Sequence, residues 1–125
     1  MKKSIVLTGS IFIGLSIILG AIAAHSLEQI VTDQLILTFE KGVKYLMYSG
    51  LGLLILGLNH QEFKFNLKIV YRFIIWGTIL FSGNIFIYIF NDYLPSLKHF
   101  VHIVPIGGLC MIIGWGVLVG KLIKY

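Results

Sequence analysis

Imidazole, thiol, carboxylate and carboxamide groups are what this chain offers for chemistry, and their spacing decides what each can do. His25 closes one apolar block, while His99 and His102 stand just before another. Imidazole binds metals and titrates near neutral pH, so these three, with Glu28 or Asp92, would make a metal site or a proton-responsive cluster. A paired-histidine haem site is a more distant variant. Metal ligands in a sequence come at tight spacing, which these histidines lack. The balance favours interfacial residues that cap helix ends or meet lipid headgroups, and no metal or cofactor is expected. A single thiol, Cys110, excludes an internal disulfide and a multi-thiolate site. It lies among Leu109, Met111, Ile112 and Ile113 and reads as a small packing residue.

The carboxylates Glu28, Asp33, Glu40, Glu62 and Asp92 all fall in loops or at block edges. None stands within an apolar block to carry a proton across a membrane. No nucleophile with a base and no carboxylate pair stands out, so an enzyme is not expected. Asn84 is the polar residue deepest in an apolar block, beside Ser82 and Gly83. Burying its amide is costly unless it is hydrogen-bonded. Ser49, Tyr48 or a carbonyl on a neighbouring helix would supply a bond worth about 0.6–2 kcal/mol. Structural glue outweighs a ligand contact for this side chain. The candidate polar residues are therefore His25, Ser49, Asn84 and His102.

These residues are positioned by long apolar blocks. Hydrophobic residues make up 58% of the 125, charged residues only 12%, and the mean hydropathy is +0.94. A soluble domain of this size needs more polar surface than that. The blocks cover roughly residues 5–24, 43–58, 71–90 and 102–123, each near the length that crosses a hydrocarbon core of about 30 Å as a helix. Lys2 and Lys3 before the first block, and the small-x-small pattern Ala21-Ile22-Ala23, raise a signal peptide. The block exceeds the usual apolar stretch of about 7–15 residues in such signals, so a retained helix is expected. Between the first two blocks Leu27, Val31, Leu35 and Phe39 recur every fourth residue. That stripe predicts a short amphipathic helix in the interface plane, with a partly hydrophobic loop as the alternative.

The net charge of +5 would raise a nucleic acid as partner in a soluble protein. Here the cations sit singly or in pairs at block edges, and no basic face with interleaved aromatics is evident to hold one. Lys2, Lys3, Lys64, Lys68, Arg72, Lys121 and Lys124 share one set of segments, against Lys41, Lys44 and Lys98 in the other. The positive-inside rule places the termini and the middle loop in the cytoplasm, which requires an even number of spans. Glycines are expected to serve close helix packing: Gly83, Gly107, Gly108, and the GxxxG step of Gly116 and Gly120, with Gly50, Gly52 and Gly57 in the second block.

Several of these segments, taken in order, resemble one family. Gly20-Ala21-Ile22-Ala23-Ala24-His25-Ser26-Leu27 is similar to the G-A-x-G-A-H-x-L signature of domain-of-unknown-function family 423, the YgdD/YwdK-like small membrane proteins. Residues 39–54 resemble its F-x-x-(G/A)-x-x-Y-x-M-Y-H block, Phe81-Ser82-Gly83 its L-F-S-G step, and Pro105-Ile106-Gly107-Gly108 with Gly114-Trp115 its P-(I/L)-G-G…G-W pattern. Ala23 replaces a glycine of the first motif, and Ser49 stands where the family commonly has histidine, so no role of that histidine carries over. The resemblance implies a four-helix inner-membrane protein of unassigned activity.

The expectation is an all-α, four-transmembrane-helix bundle, a single domain over residues 1–125, with the short amphipathic interfacial helix between helices 1 and 2. Its expected role is that of a non-enzymatic structural or accessory component acting through protein or lipid contacts. Its partners would be membrane lipids and either copies of itself or a larger membrane complex. An oligomeric small transporter or channel is the alternative.

Overall fold

The computed structural model describes all residues, Met1–Tyr125, and is entirely helical, with no strand. Four long helices follow the apolar blocks: α1 (Lys3–His25), α2 (Asp33–Leu58), α3 (Lys68–Tyr88) and α4 (Val104–Lys124). Three helical stretches are long and apolar enough to cross a membrane: Lys3–His25, Lys68–Tyr88 and Pro95–Lys124. The 26 residues of α2 reach about 39 Å at the helical rise, but its first half carries Asp33, Glu40, Lys41 and Lys44.

The expected amphipathic helix is not a separate element. After a 3₁₀ turn at Leu27–Gln29, the chain enters α2 at Thr32, whose hydroxyl accepts the Leu35 amide at 3.3 Å, and runs unbroken to Leu58. Asp33 in the first turn suits the positive end of the helix dipole. The stripe lacks any reason to lie flat in an interface because it finds partners within the chain. Leu27, Ile36 and Phe39 are buried with Ala23 of α1 and Ile89 beyond α3, and Val31 and Leu35 pack beside them.

Packing runs in pairs, α1 chiefly against α2 and α4 chiefly against α3, with α2 and α3 joining the pairs. Each pair crosses at glycines where no side chain fits. A Cβ on Gly9 would stand 2.7 Å from the Gly50 carbonyl oxygen, and one on Gly77 would stand 2.8 Å from the Gly107 carbonyl oxygen. Small residues let helix backbones meet in this way where water does not drive association. Outside the crossings the helices turn apolar side chains outward, among them Ile17, Ile55, Trp76 and Ile112.

The third helix contains one π turn, Ile79–Gly83, between its two α-helical parts. At the far end, a 3₁₀ segment, Pro95–His102, leads into α4, whose first turn holds Pro105, where a missing amide costs little. The Tyr93 hydroxyl, in the turn before that segment, donates to the Ile30 carbonyl and ties the turn to the α1–α2 connection.

Candidate functional site

The polar residues inside the bundle are engaged with their neighbours. Ser82 bonds between helices: its hydroxyl donates to the Gly42 carbonyl on α2 at 2.7 Å. Asn84, expected to reach across to α2, instead donates to the Leu80 carbonyl of its own helix at 2.6 Å, at the end of the π turn. Ser49 does not meet it. The Ser49 and Thr78 hydroxyls both approach the Met111 sulfur at 3.5 Å, so α2, α3 and α4 converge on one thioether. No buried side-chain nitrogen or oxygen lacks a partner. A buried polar group left unpaired is costly, and these bonds remove that cost. Ser82→Ala removes the bond to Gly42 and is expected to lower stability by about 1 kcal/mol in a detergent unfolding titration.

The histidines are apart from this interior. His25 ends α1 and His102 ends the Pro95–His102 segment with His99 one turn earlier, all three exposed. No three His, Cys, Asp or Glu side chains stand close enough to share a metal ion. Of the glycines expected at contacts, Gly107 lies at the α3–α4 crossing and Gly108 rests at ordinary distance from Phe81. Gly83, Gly116 and Gly120 correct that expectation for packing within the chain, since a Cβ at any of them would meet nothing within 4 Å. The helical face carrying Gly116 and Gly120 points away from the bundle.

Two concavities exceed 600 Å³. One, of about 640 Å³, is an apolar groove walled by Tyr45 and Tyr48 of α2, Phe81 of α3 and Trp115 of α4, over Ser49 and Met111. Phe81 meets Tyr45 edge to face at 5.1 Å, and the Trp115 ring passes so close to Gly52 that a Cβ there would stand 2.6 Å from it. The other, of about 690 Å³, opens at the end that holds both termini. Lys2, Lys64, Lys68 and Arg72 line it together with His60, Phe63, Tyr71 and Trp76, and no carboxylate does. His60 Nδ1 lies 2.9 Å from the Tyr71 hydroxyl, which reaches the Leu56 carbonyl at 3.2 Å.

This second pocket was absent from the sequence reading, which found no basic face with interleaved aromatics. Its cations are dispersed over residues 2–72, where the sequence assigns them singly to headgroup contacts and orientation and does not bring them to one place. The signal was present in the cation-aromatic alternation of Phe63-Lys64-Phe65 and in Lys68 and Arg72 one helical turn apart.

The chain as a whole is similar to known proteins. A family model described as a protein of unknown function, DUF423, matches residues 19–108. A UPF0382 membrane protein of Staphylococcus haemolyticus is 32% identical over 123 residues, 98% of this chain and 98% of its own length. Another from Staphylococcus saprophyticus is 32% identical over 117 residues, 94% of each chain. A third, from Staphylococcus aureus strain USA300, is 32% identical over 126 residues and 98% of each. No solved structure matches.

Proposed function

We propose that this chain, which belongs to the DUF423 family of proteins of unknown function, is a four-pass component of the cell membrane. Both termini stand on the cytoplasmic side, and the chain acts without catalysis, through contacts with lipids and with other proteins. The outward face of α2 carries the reading. Leu51, Ile55 and Leu58 of that helix are 43%, 60% and 51% exposed. These side chains need hydrocarbon around them as much as those of α1, α3 and α4 do, although α2 is more charged at its start. Ser82 bonded to Gly42 of α2, and Ser49 and Thr78 meeting at Met111 of α4, support a role in helix contacts.

Native mass spectrometry of tagged protein, gently extracted from its own membrane, tests the role. The expected spectrum shows the chain with a reproducible added mass of a protein partner, a second copy or bound lipid. A bare monomer throughout overturns the reading. Flux through proteoliposomes that Asn84→Leu abolishes without unfolding the chain would favour the transporter instead.

A further inference from the structure

We propose that the cationic pocket binds the phosphate headgroup of an anionic phospholipid, with the lipid chains leaving along α3. The inference deepens the lipid-contact reading above and rests on it. Four cations face one concavity of about 690 Å³, a volume within the range of small-molecule sites, and no carboxylate lines it to neutralise them. They come from three separate parts of the chain: Lys2 at the start of α1, Lys64 in the α2–α3 connection, and Lys68 and Arg72 in the first turns of α3. Gathering like charges is unfavourable in the unliganded protein, and a phosphate relieves it.

The frame of the pocket is fixed independently of these cations' side chains. The Lys2 backbone amide donates to the Gly57 carbonyl at 2.8 Å, which holds the start of α1 against the end of α2. Lys121 on α4 donates to the Asn66 carbonyl and pins the loop from the other side. The Asn66 side chain accepts the Lys68 amide at 2.7 Å, which starts α3 at the pocket and aims its positive dipole end there.

The lower wall selects a lipid over a free anion. Ile75 and Trp76 line the pocket about two turns into α3, within a stretch apolar enough to cross a membrane, and Trp76 is 60% exposed. An indole at that depth suits the boundary between headgroup and chain. Inorganic phosphate has nothing to place against this wall, whereas glycerol and the first methylenes of a lipid do. Basic pockets among the cytoplasmic ends of membrane helices are where anionic headgroups bind.

The test titrates the detergent-solubilised full chain with phosphatidylglycerol or phosphatidylcholine and counts bound lipid by native mass spectrometry. Phosphatidylglycerol is expected to bind roughly tenfold more tightly than phosphatidylcholine. The double variant Lys68→Gln/Arg72→Gln is expected to lose that preference while keeping its melting temperature. Lys41→Gln/Lys44→Gln removes the same charge from the opposite half of the chain and is expected to retain it. Equal binding of the two lipids overturns the pocket, as does an equal loss in both double variants, which would make the effect one of net charge. Displacement of the lipid by millimolar inorganic phosphate overturns the lipid assignment in favour of a free anion. If Lys68→Gln/Arg72→Gln unfolds, Lys64→Gln, outside any helix, is read in its place. Failure here leaves the general contact role standing, because that role is read from what copurifies.

Discussion

Gly107→Leu is expected to abolish the folded bundle, whereas Gly116→Leu, nine residues along the same helix, leaves it intact. A Cβ on Gly107 would stand 2.7 Å from both the Gly77 carbonyl oxygen and the Leu80 carbonyl carbon, with the Phe81 amide nitrogen closer still. All three are backbone atoms of α3 and cannot turn aside as a side-chain end can. The helices must separate, and with them the approach of Ser49 and Thr78 to Met111. Overpacking costs about 1–3 kcal/mol where side chains give way, and more is expected against backbone. At Gly116 a Cβ meets nothing within 4 Å, and replacing a helical glycine removes a penalty of about 1 kcal/mol. Circular-dichroism melting in detergent reads both variants. Equal losses would show that the α3–α4 crossing is not what Gly107 serves. A change of oligomeric mass in Gly116→Leu, with melting unchanged, would identify its open face as an intermolecular contact.

That contrast also shows what a sequence holds and what it does not. The helical blocks were legible because each is a long apolar run, and the family because its motifs recur in order. Which glycine meets which helix was not. Gly116 and Gly120 form the GxxxG step that local pattern favours, yet the crossing uses Gly107 with Gly77, thirty residues apart. Helix rotation and crossing angle decide such pairs, and spacing within one helix encodes neither. The start of α2 was misplaced for a related reason. Glu40, Lys41 and Lys44 interrupt the apolar count, but helical hydrogen bonds do not depend on side-chain charge, so the helix runs from Asp33 regardless. Asn84 drew attention as a buried amide, and its partner turned out to be the Leu80 carbonyl, within reach of its own helix at the π turn. The cationic pocket needed the chain to fold before Lys2 could share a cavity with Arg72.

Replacing Lys2, Lys3, Lys64 and Lys68 with glutamine is expected to scramble the orientation of the chain in its membrane. Seven Lys and Arg side chains belong to the segments at the end with the termini and three to the others. The four substitutions leave three against three, and the bias that sets orientation disappears. A cysteine introduced by Ser96→Cys, in a Cys110→Ala background, sits in the exposed Pro95–His102 segment and reports sidedness. With the lysines present it is expected to react fully with a membrane-impermeant maleimide added outside intact cells, while a Tyr125→Cys tail stays protected. Without the four lysines, about half of each cysteine population is expected to react. Labelling unchanged by the substitutions would show that something other than the lysines orients the chain. The same pair of cysteines decides whether α2 crosses. With α1, α3 and α4 as the only spans and the amino terminus inside, Ser96→Cys would be protected and Tyr125→Cys labelled, the reverse of the four-pass result. Leu51, Ile55 and Leu58 on the outer face of α2 argue for four, since a helix held outside the hydrocarbon would leave all three in water.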